Sequence, residues 1–263
     1  MKFIDNSWND WIEYYLRQNC DKAKLFEILL KEGFPSDWIL QRINTNYSIP
    51  KNIEQCNKAI VTKHAKRYPS TYIELYTIDN FMTSFECKRL IEIAKPHLVK
   101  STITNNDKEQ DKKFRTSKTT HFQYIQKEEE KNFIKRMDEK ICDALHLDIS
   151  FSESTQLQSY QVGNEFKAHT DYFEKGTSSY KQHASRYGNR TWTFMVYLND
   201  VERGGGTFFS KLNKRFYPKQ GMAILWNNLY PNGTVNPDTL HAGEPILKGE
   251  KNIITKWFRE KSK

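Results

Sequence analysis

His169 and Asp171 stand two residues apart in a segment of extended character, and a period of two turns both side chains to one face. An imidazole and a carboxylate so placed can share one metal ion. His241, at the start of a later run with strand character, would complete a set of two histidines and one carboxylate. Such a set covers one face of an octahedral ferrous ion and leaves three positions open. Open positions are what binding and activating dioxygen requires. An H-x-D pair alone occurs by chance, and a histidine in a strand is more often a hydrogen-bonded structural residue. The added signal is Lys251, ten residues after His241 and across a turn at Lys248, Gly249 and Glu250. A buried lysine needs an anionic partner, and the far carboxylate of a keto-diacid chelating the metal would be one. Lys251, Ile253, Thr255 and Trp257 share one face of their strand, so an inward lysine brings the indole inward to wall the same site.

Such a set needs a rigid frame, and the second half of the chain has the pattern of one. Short runs with strand character at 156–162, 191–198, 206–209, 221–226, 240–246 and 251–259 are separated by turn residues. Ahead of them, 72–78 alternates like a strand, and Ser84 is placed to cap a helix with Cys87, Leu90, Ile91 and Ile93 on its apolar side. A lysine-rich polar loop follows at 100–113, and 127–145 carries Phe133, Ile134, Met137, Ile141 and Leu145 at helical spacing. Many short strands braced by helices predict an α+β fold with a barrel or jelly-roll core.

Residues 1–45 predict a small helical domain. Trp8, Trp11, Ile12, Tyr15 and Leu16 follow helical spacing, Leu25, Phe26, Ile28 and Leu29 repeat it before Gly33, and Ser36 is placed to cap a third helix with Trp38, Ile39 and Ile43. That unit would serve as a docking module or as a buttress for the next domain. Residues 46–70, with Pro50 and Pro69, have the composition of a linker, and 71–263 form the main domain.

Composition narrows the class. Of 263 residues 37% are apolar and 14% aromatic, which excludes a disordered chain. No window nears the roughly 18 apolar residues of a membrane span. The start, MKFIDNSWND, lacks the basic and apolar regions of a signal peptide, so a cytoplasmic location is expected. Cys20, Cys56, Cys87 and Cys142 form no CxxC pair, which predicts free thiols. The net charge is +9, and all of the excess lies after residue 60. It is scattered lysine without a basic helix or an RNP-like run, which disfavours nucleic acid as a partner.

Taken together, the motifs resemble the 2-oxoglutarate- and iron(II)-dependent prolyl 4-hydroxylases of the double-stranded β-helix fold. The resemblance runs from about residue 73 to 258 through IELYTIDNFMTSFECKRLIEIAKPHL, FRTSKTTHF, LQSYQVGNEFKAHTDYF, RTWTFMVYLNDVERGGGTFF, GMAILWNN and HAGEPILKGEKNIITKWF. It implies a double-stranded β-helix (jelly roll) core braced by helices, beside the small N-terminal helical unit. Position by position, it makes His169, Asp171 and His241 the iron ligands and Lys251 the partner of the distal 2-oxoglutarate carboxylate. Tyr160 and Thr193 would be hydroxyl donors to that cosubstrate, and Arg115, Tyr172, Arg190 and Trp257 would line the peptide groove.

The implied reaction uses Fe(II), 2-oxoglutarate and O2, with ascorbate as reductant, to hydroxylate a prolyl residue of a proline-rich polypeptide, releasing succinate and carbon dioxide. Two readings stay open beside it: the same chemistry on another side chain, a free amino acid or an alkylated base, and an inactive binding module. Nucleic acid repair relatives would hold the cosubstrate with arginine, so Lys251 argues against a base. Two departures stand out. Gly204, Gly205, Gly206 and Thr207 replace the family's GGET, removing an acidic residue near the mouth, and 174–189 occupies the place of a lid where specificity is expected. His183 within it, and His64, His97, His121 and His146, have no ligand spacing.

Overall fold

The computed structural model describes residues 6–43, 59–102, 114–230 and 233–263. Most of the linker expected at 46–70 and of the loop at 100–113 lies outside the described residues. The chain divides into two compact units, Met1–His64 with Cys142–Asp148, and Ala65–Ile141 with Ile149–Lys263.

The first unit holds α1 (Asn6–Arg17), α2 (Lys22–Lys31) and α3 (Ser36–Ile43). Asp21 caps α2 by accepting from the Ala23 and Lys24 N–H groups. Gly33, at φ 86°, takes the left-handed conformation that ends it. α3 begins at Ser36, with the Ile39 N–H on the Pro35 carbonyl. Trp8 meets Phe34 edge-on at 4.7 Å, and Phe34 stacks on Trp38 at 4.7 Å, over a core of Ile12, Leu25, Leu29 and Ile39. The unit extends past residue 45, because the Ile60 and Thr62 N–H groups bond the Leu145 and Ala144 carbonyls at 3.0 and 2.9 Å.

The second unit is a pair of antiparallel sheets with helices. Strands are numbered along the chain. The large sheet contains β1 (Lys66–Arg67), β2 (Leu75–Ile78), β3 (Val99–Lys100), β4 (Lys118–His121), β5 (Gln156–Tyr160), β7 (Arg190–Tyr197), β11 (Ala223–Asn227) and β14 (Lys251–Arg259). Their spatial order is β1-β2-β11-β7-β14-β5-β4-β3. The small sheet contains β6 (Phe166–His169), β9 (Thr207–Phe209), β10 (Lys214–Phe216) and β12 (His241–Gly243), in the order β10-β9-β12-β6. A short pair joins β8 (Arg203–Gly204) to β13 (Ile246–Lys248).

Side chains from both sheets fill the space between them: Leu75, Tyr197, Ile224, Trp226 and Ile253 from the large sheet meet Phe209 and Phe216 from the small one. Each such buried side chain contributes about 1.5–3 kcal/mol by leaving water. The other helices are α4 (Ser84–Ala94), α5 (Glu128–Leu145) and α6 (Ser178–His183). Thr83 caps α4 where Ser84 was expected to. Its hydroxyl accepts the Glu86 N–H at 3.2 Å while the Glu86 carboxylate accepts the Thr83 N–H at 2.7 Å, a capping box.

Candidate metal centre and active site

Strand pairing brings the histidines together: His169 at the end of β6 stands opposite His241 at the start of β12, with ring centroids 4.3 Å apart. Asp171 lies just beyond the end of β6, and its Oδ1 is 3.8 Å from His169 Nε2. One ligand atom from each of the three falls within 4.8 Å of the others, and among the described residues no other group of three His, Cys, Asp or Glu does so. Each imidazole has its tautomer set by a neighbouring carbonyl. His169 Nδ1 donates to the Lys167 oxygen at 2.8 Å and His241 Nδ1 to the Thr239 oxygen at 2.9 Å, which leaves both Nε2 lone pairs free to ligate. Phe166 stacks on His169 at 3.6 Å and Phe209 on His241 at 5.4 Å, holding the ring planes.

The electrostatics suit a cation. Burial, with the nearby His241, pushes His169 down to about 3, so its imidazole is neutral. Burial works to raise Asp171, but His241, His169, Arg190 and the Thr193 hydrogen bond outweigh it and hold the carboxyl below its ordinary range. Two imidazoles and one ionised carboxylate are the donor set that iron(II) takes in non-haem oxygenases. The residues present therefore fit such an ion.

The same cavity is lined by Arg115, Gln158, Tyr160, Lys251, Thr255 and Trp257. Lys251 is buried, and among the described residues its ammonium has no hydrogen-bond or ion-pair partner. Burial drives its pKa down from 10.5 to about 7. Tyr160, opposite Lys251 in the β5–β14 ladder, donates to Gln158 Oε1 at 2.8 Å, and Gln158 Nε2 donates to the Thr255 hydroxyl at 3.1 Å. The Arg115 guanidinium is held by the hydroxyls of Ser117 at 3.2 Å and Thr119 at 2.9 Å and lies 4.9 Å from the Phe166 ring. Trp257 faces the cavity as its strand face requires, and its buried Nε1 has no partner among the described residues.

Thr193, Arg190 and Tyr172 are not among the residues that line this cavity. Thr193 is fully buried and gives its proton to Asp171 Oδ2 at 2.7 Å, so its hydroxyl steadies the carboxylate. Arg190 does not line the cavity: its Nε and Nη2 grip Glu153 at 2.7 and 2.9 Å, and its guanidinium lies 3.9 Å from the Trp257 ring centroid, behind that wall. Tyr172 is half-buried and also stands off the cavity wall. Nothing in the sequence marks Glu153, which also accepts from Arg259 at 3.0 Å. Its arginine partners are 37 and 106 residues away.

The segment after Asp171 is closed at its base. Asn189 Oδ1 accepts the Phe173 N–H and its Nδ2 donates to the Phe173 carbonyl, both at 2.8 Å. The Asn189 N–H donates to Glu260 at 2.5 Å, and Arg259 donates to the His183 carbonyl at the end of α6.

Residues 155–259 match the family model of the 2OG-Fe(II) oxygenase superfamily. With that match the sheet pair is a double-stranded β-helix, and the chain is an iron(II)- and 2-oxoglutarate-dependent dioxygenase. Probable prolyl 4-hydroxylase 3 of Arabidopsis thaliana is 31% identical over 204 residues, covering 70% of this chain and 68% of that protein. Prolyl 4-hydroxylase subunit alpha-1 of Gallus gallus is 33% identical over 181 residues, and the match spans only 34% of that longer subunit. The crystal structure of viral collagen prolyl hydroxylase from Paramecium bursaria Chlorella virus-1, a 2OG complex, superposes with a TM-score of 0.53 at 28% identity, covering 72% of this chain and 97% of that one. The chain belongs to the prolyl 4-hydroxylase family.

Proposed function

We propose that this protein hydroxylates a prolyl residue within a polypeptide, with iron(II) held by His169 Nε2, His241 Nε2 and Asp171 Oδ1. The observation that carries the proposal is Lys251, a buried cation with no counter-ion among the described residues, in the cavity that the three ligands share. Iron(II) with bound 2-oxoglutarate and dioxygen supplies the power to oxidise an unactivated C–H bond, yielding succinate and carbon dioxide.

The chain's own residues bind and orient. Lys251 holds the distal carboxylate of 2-oxoglutarate, and Tyr160 beside it supplies a phenol to the same end of the cavity. Trp257 and Arg115 line the cavity where a peptide would enter, an aromatic face for a pyrrolidine ring and a guanidinium for a backbone carbonyl. An extended proline-rich segment presents both groups at low entropic cost. The residues between Phe173 and Asn189 would act as the lid that chooses among peptides. Ascorbate is the proposed reductant. A cytoplasmic location is part of the same proposal, supported by the free, buried thiol of Cys87. Among the described residues no helix is long and apolar enough to cross a membrane.

The test is intact-mass analysis of proline-rich and proline-free peptides after incubation with the protein, iron(II), 2-oxoglutarate and ascorbate, with succinate followed in parallel. One oxygen added on proline is the expected result. Succinate with oxidation confined to proline-free peptides would overturn the substrate class.

A further inference from the structure

The Thr193 hydroxyl that steadies Asp171 is itself the middle of a longer chain of hydrogen bonds. Trp226 Nε1 donates to Asn228 Oδ1 at 3.0 Å, Asn228 Nδ2 donates to Thr193 Oγ1 at 2.9 Å, and Thr193 Oγ1 donates to Asp171 Oδ2 at 2.7 Å. Trp226, Asn228 and Thr193 are between 0% and 1% exposed, so no solvent competes for these bonds. The ends of the chain set its direction. An indole N–H can only donate and an ionised carboxylate can only accept, so the amide must present its oxygen to Trp226 and its NH2 to Thr193. With its lone pair taken by the amide, the threonine hydroxyl has one arrangement left, with its proton on Asp171. The backbone fixes the donors: Trp226 stands opposite Thr193 in the β11–β7 ladder, and Asn228 is tied by its N–H to the Thr191 carbonyl and by its carbonyl to the Asn236 N–H.

We propose that Asn228 and Thr193 are positioning residues for the metal ligand Asp171, together with the indole that orients them. They engage Oδ2 and so present Oδ1 alone, on the side of His169, as a single-oxygen ligand. This rests on the assignment of His169, Asp171 and His241 as a metal site. A ligand held through one oxygen leaves the remaining coordination positions to small molecules, whereas a carboxylate free to rotate could close on the ion with both oxygens.

The test is titration of the full-length, metal-free protein with cobalt(II), reading affinity and the visible absorption of the bound ion, with the metal-free melting temperature as a control on folding. Thr193→Val, which keeps the shape and removes the proton, is expected to weaken cobalt(II) by about 10–100-fold and to change its absorption bands. Asn228→Asp, which puts an acceptor where Thr193 needs a donor, is expected to do the same, and Thr193→Ser is expected to restore both affinity and spectrum. Wild-type affinity and spectrum in Thr193→Val or in Asn228→Asp would overturn the proposal. Failure of the wild-type protein to bind cobalt(II) would overturn the metal-site assignment itself, and with it the role of the relay.

Discussion

Lys251 and Tyr160 stand opposite each other across the β5–β14 ladder, with the ammonium 5.4 Å from the centroid of the phenol ring. An ammonium buried beside aromatic rings, with no carboxylate in ion-pair contact, carries a desolvation cost in the ligand-free protein that the charge of Glu244 offsets only in part. That cost is the source of two expected behaviours.

Lys251→Met should make the ligand-free protein more stable and the cosubstrate site much poorer. Removing one partner of a buried ion pair typically costs about 3–5 kcal/mol, so 2-oxoglutarate affinity should fall at least about 100-fold. Calorimetric titration and thermal melting without ligand check the two effects separately.

The pH dependence of cosubstrate binding follows from the same group. Above a pKa of about 7 the free protein holds Lys251 neutral, and binding a dicarboxylate must draw a proton onto it. Affinity should therefore be flat below pH 7 and fall by up to about tenfold per unit above it. Proton uptake, read from calorimetry at pH 8 in buffers of different ionisation enthalpy, should be close to one per site. In the ligand-free protein this lysine makes stability rise with pH between 7 and 10.5, because there the unfolded chain binds the extra proton.

Substitution of the ligands should be far more damaging than substitution of the cavity wall. His169→Ala and Asp171→Ala are each expected to abolish substrate-dependent succinate formation. Retained turnover in both would remove the ligand assignment.

Glu153 is the anion between Arg190 and Arg259, at 2.7 and 3.0 Å. Opposing its desolvation, the two guanidinium groups hold its carboxyl below the ordinary range. Glu153→Gln leaves both arginines without an anion and should destabilise the protein by about 3–5 kcal/mol in urea unfolding.

His146 gives the first unit an acid-sensitive point. Burial, with the nearby Lys24, pushes its pKa down from 6.5 to about 4. Between those values the unfolded chain binds the proton and the folded one does not, so stability is lost as pH falls from 6.5 toward 4. His146→Asn suits the residue's φ of 49° and should flatten that loss, by about 2 kcal/mol at pH 4.5.

The strands, the ligand spacing and the inward face of β14 were legible because alternation and short-range spacing encode them. Lys251 and Trp257 share a face by parity alone, and both line the cavity. The destination of a hydroxyl proton or a guanidinium is set by whatever strand lies opposite, which parity does not carry. Thr193 follows the same alternation whether it serves a cosubstrate or Asp171, and Arg190 looks equally suited to a groove or to Glu153. The cap of α4 falls on Thr83 instead of Ser84 for a local reason, since only Thr83 has Glu86 three residues on.

The two hydrogen bonds between Asn189 and the Phe173 backbone make the intervening chain a loop with joined ends. Gly188 beside this joint has no space for a side chain, since an added Cβ would lie 2.7 Å from that of Glu260. A segment fastened in this way is an interchangeable part: between its anchors, the Asn189 joint and the Arg259 bond to the His183 carbonyl, it can change in length and composition while the ligand atoms of the site keep their places. Grafting a foreign loop between these two residues is the natural route to giving this scaffold a new target.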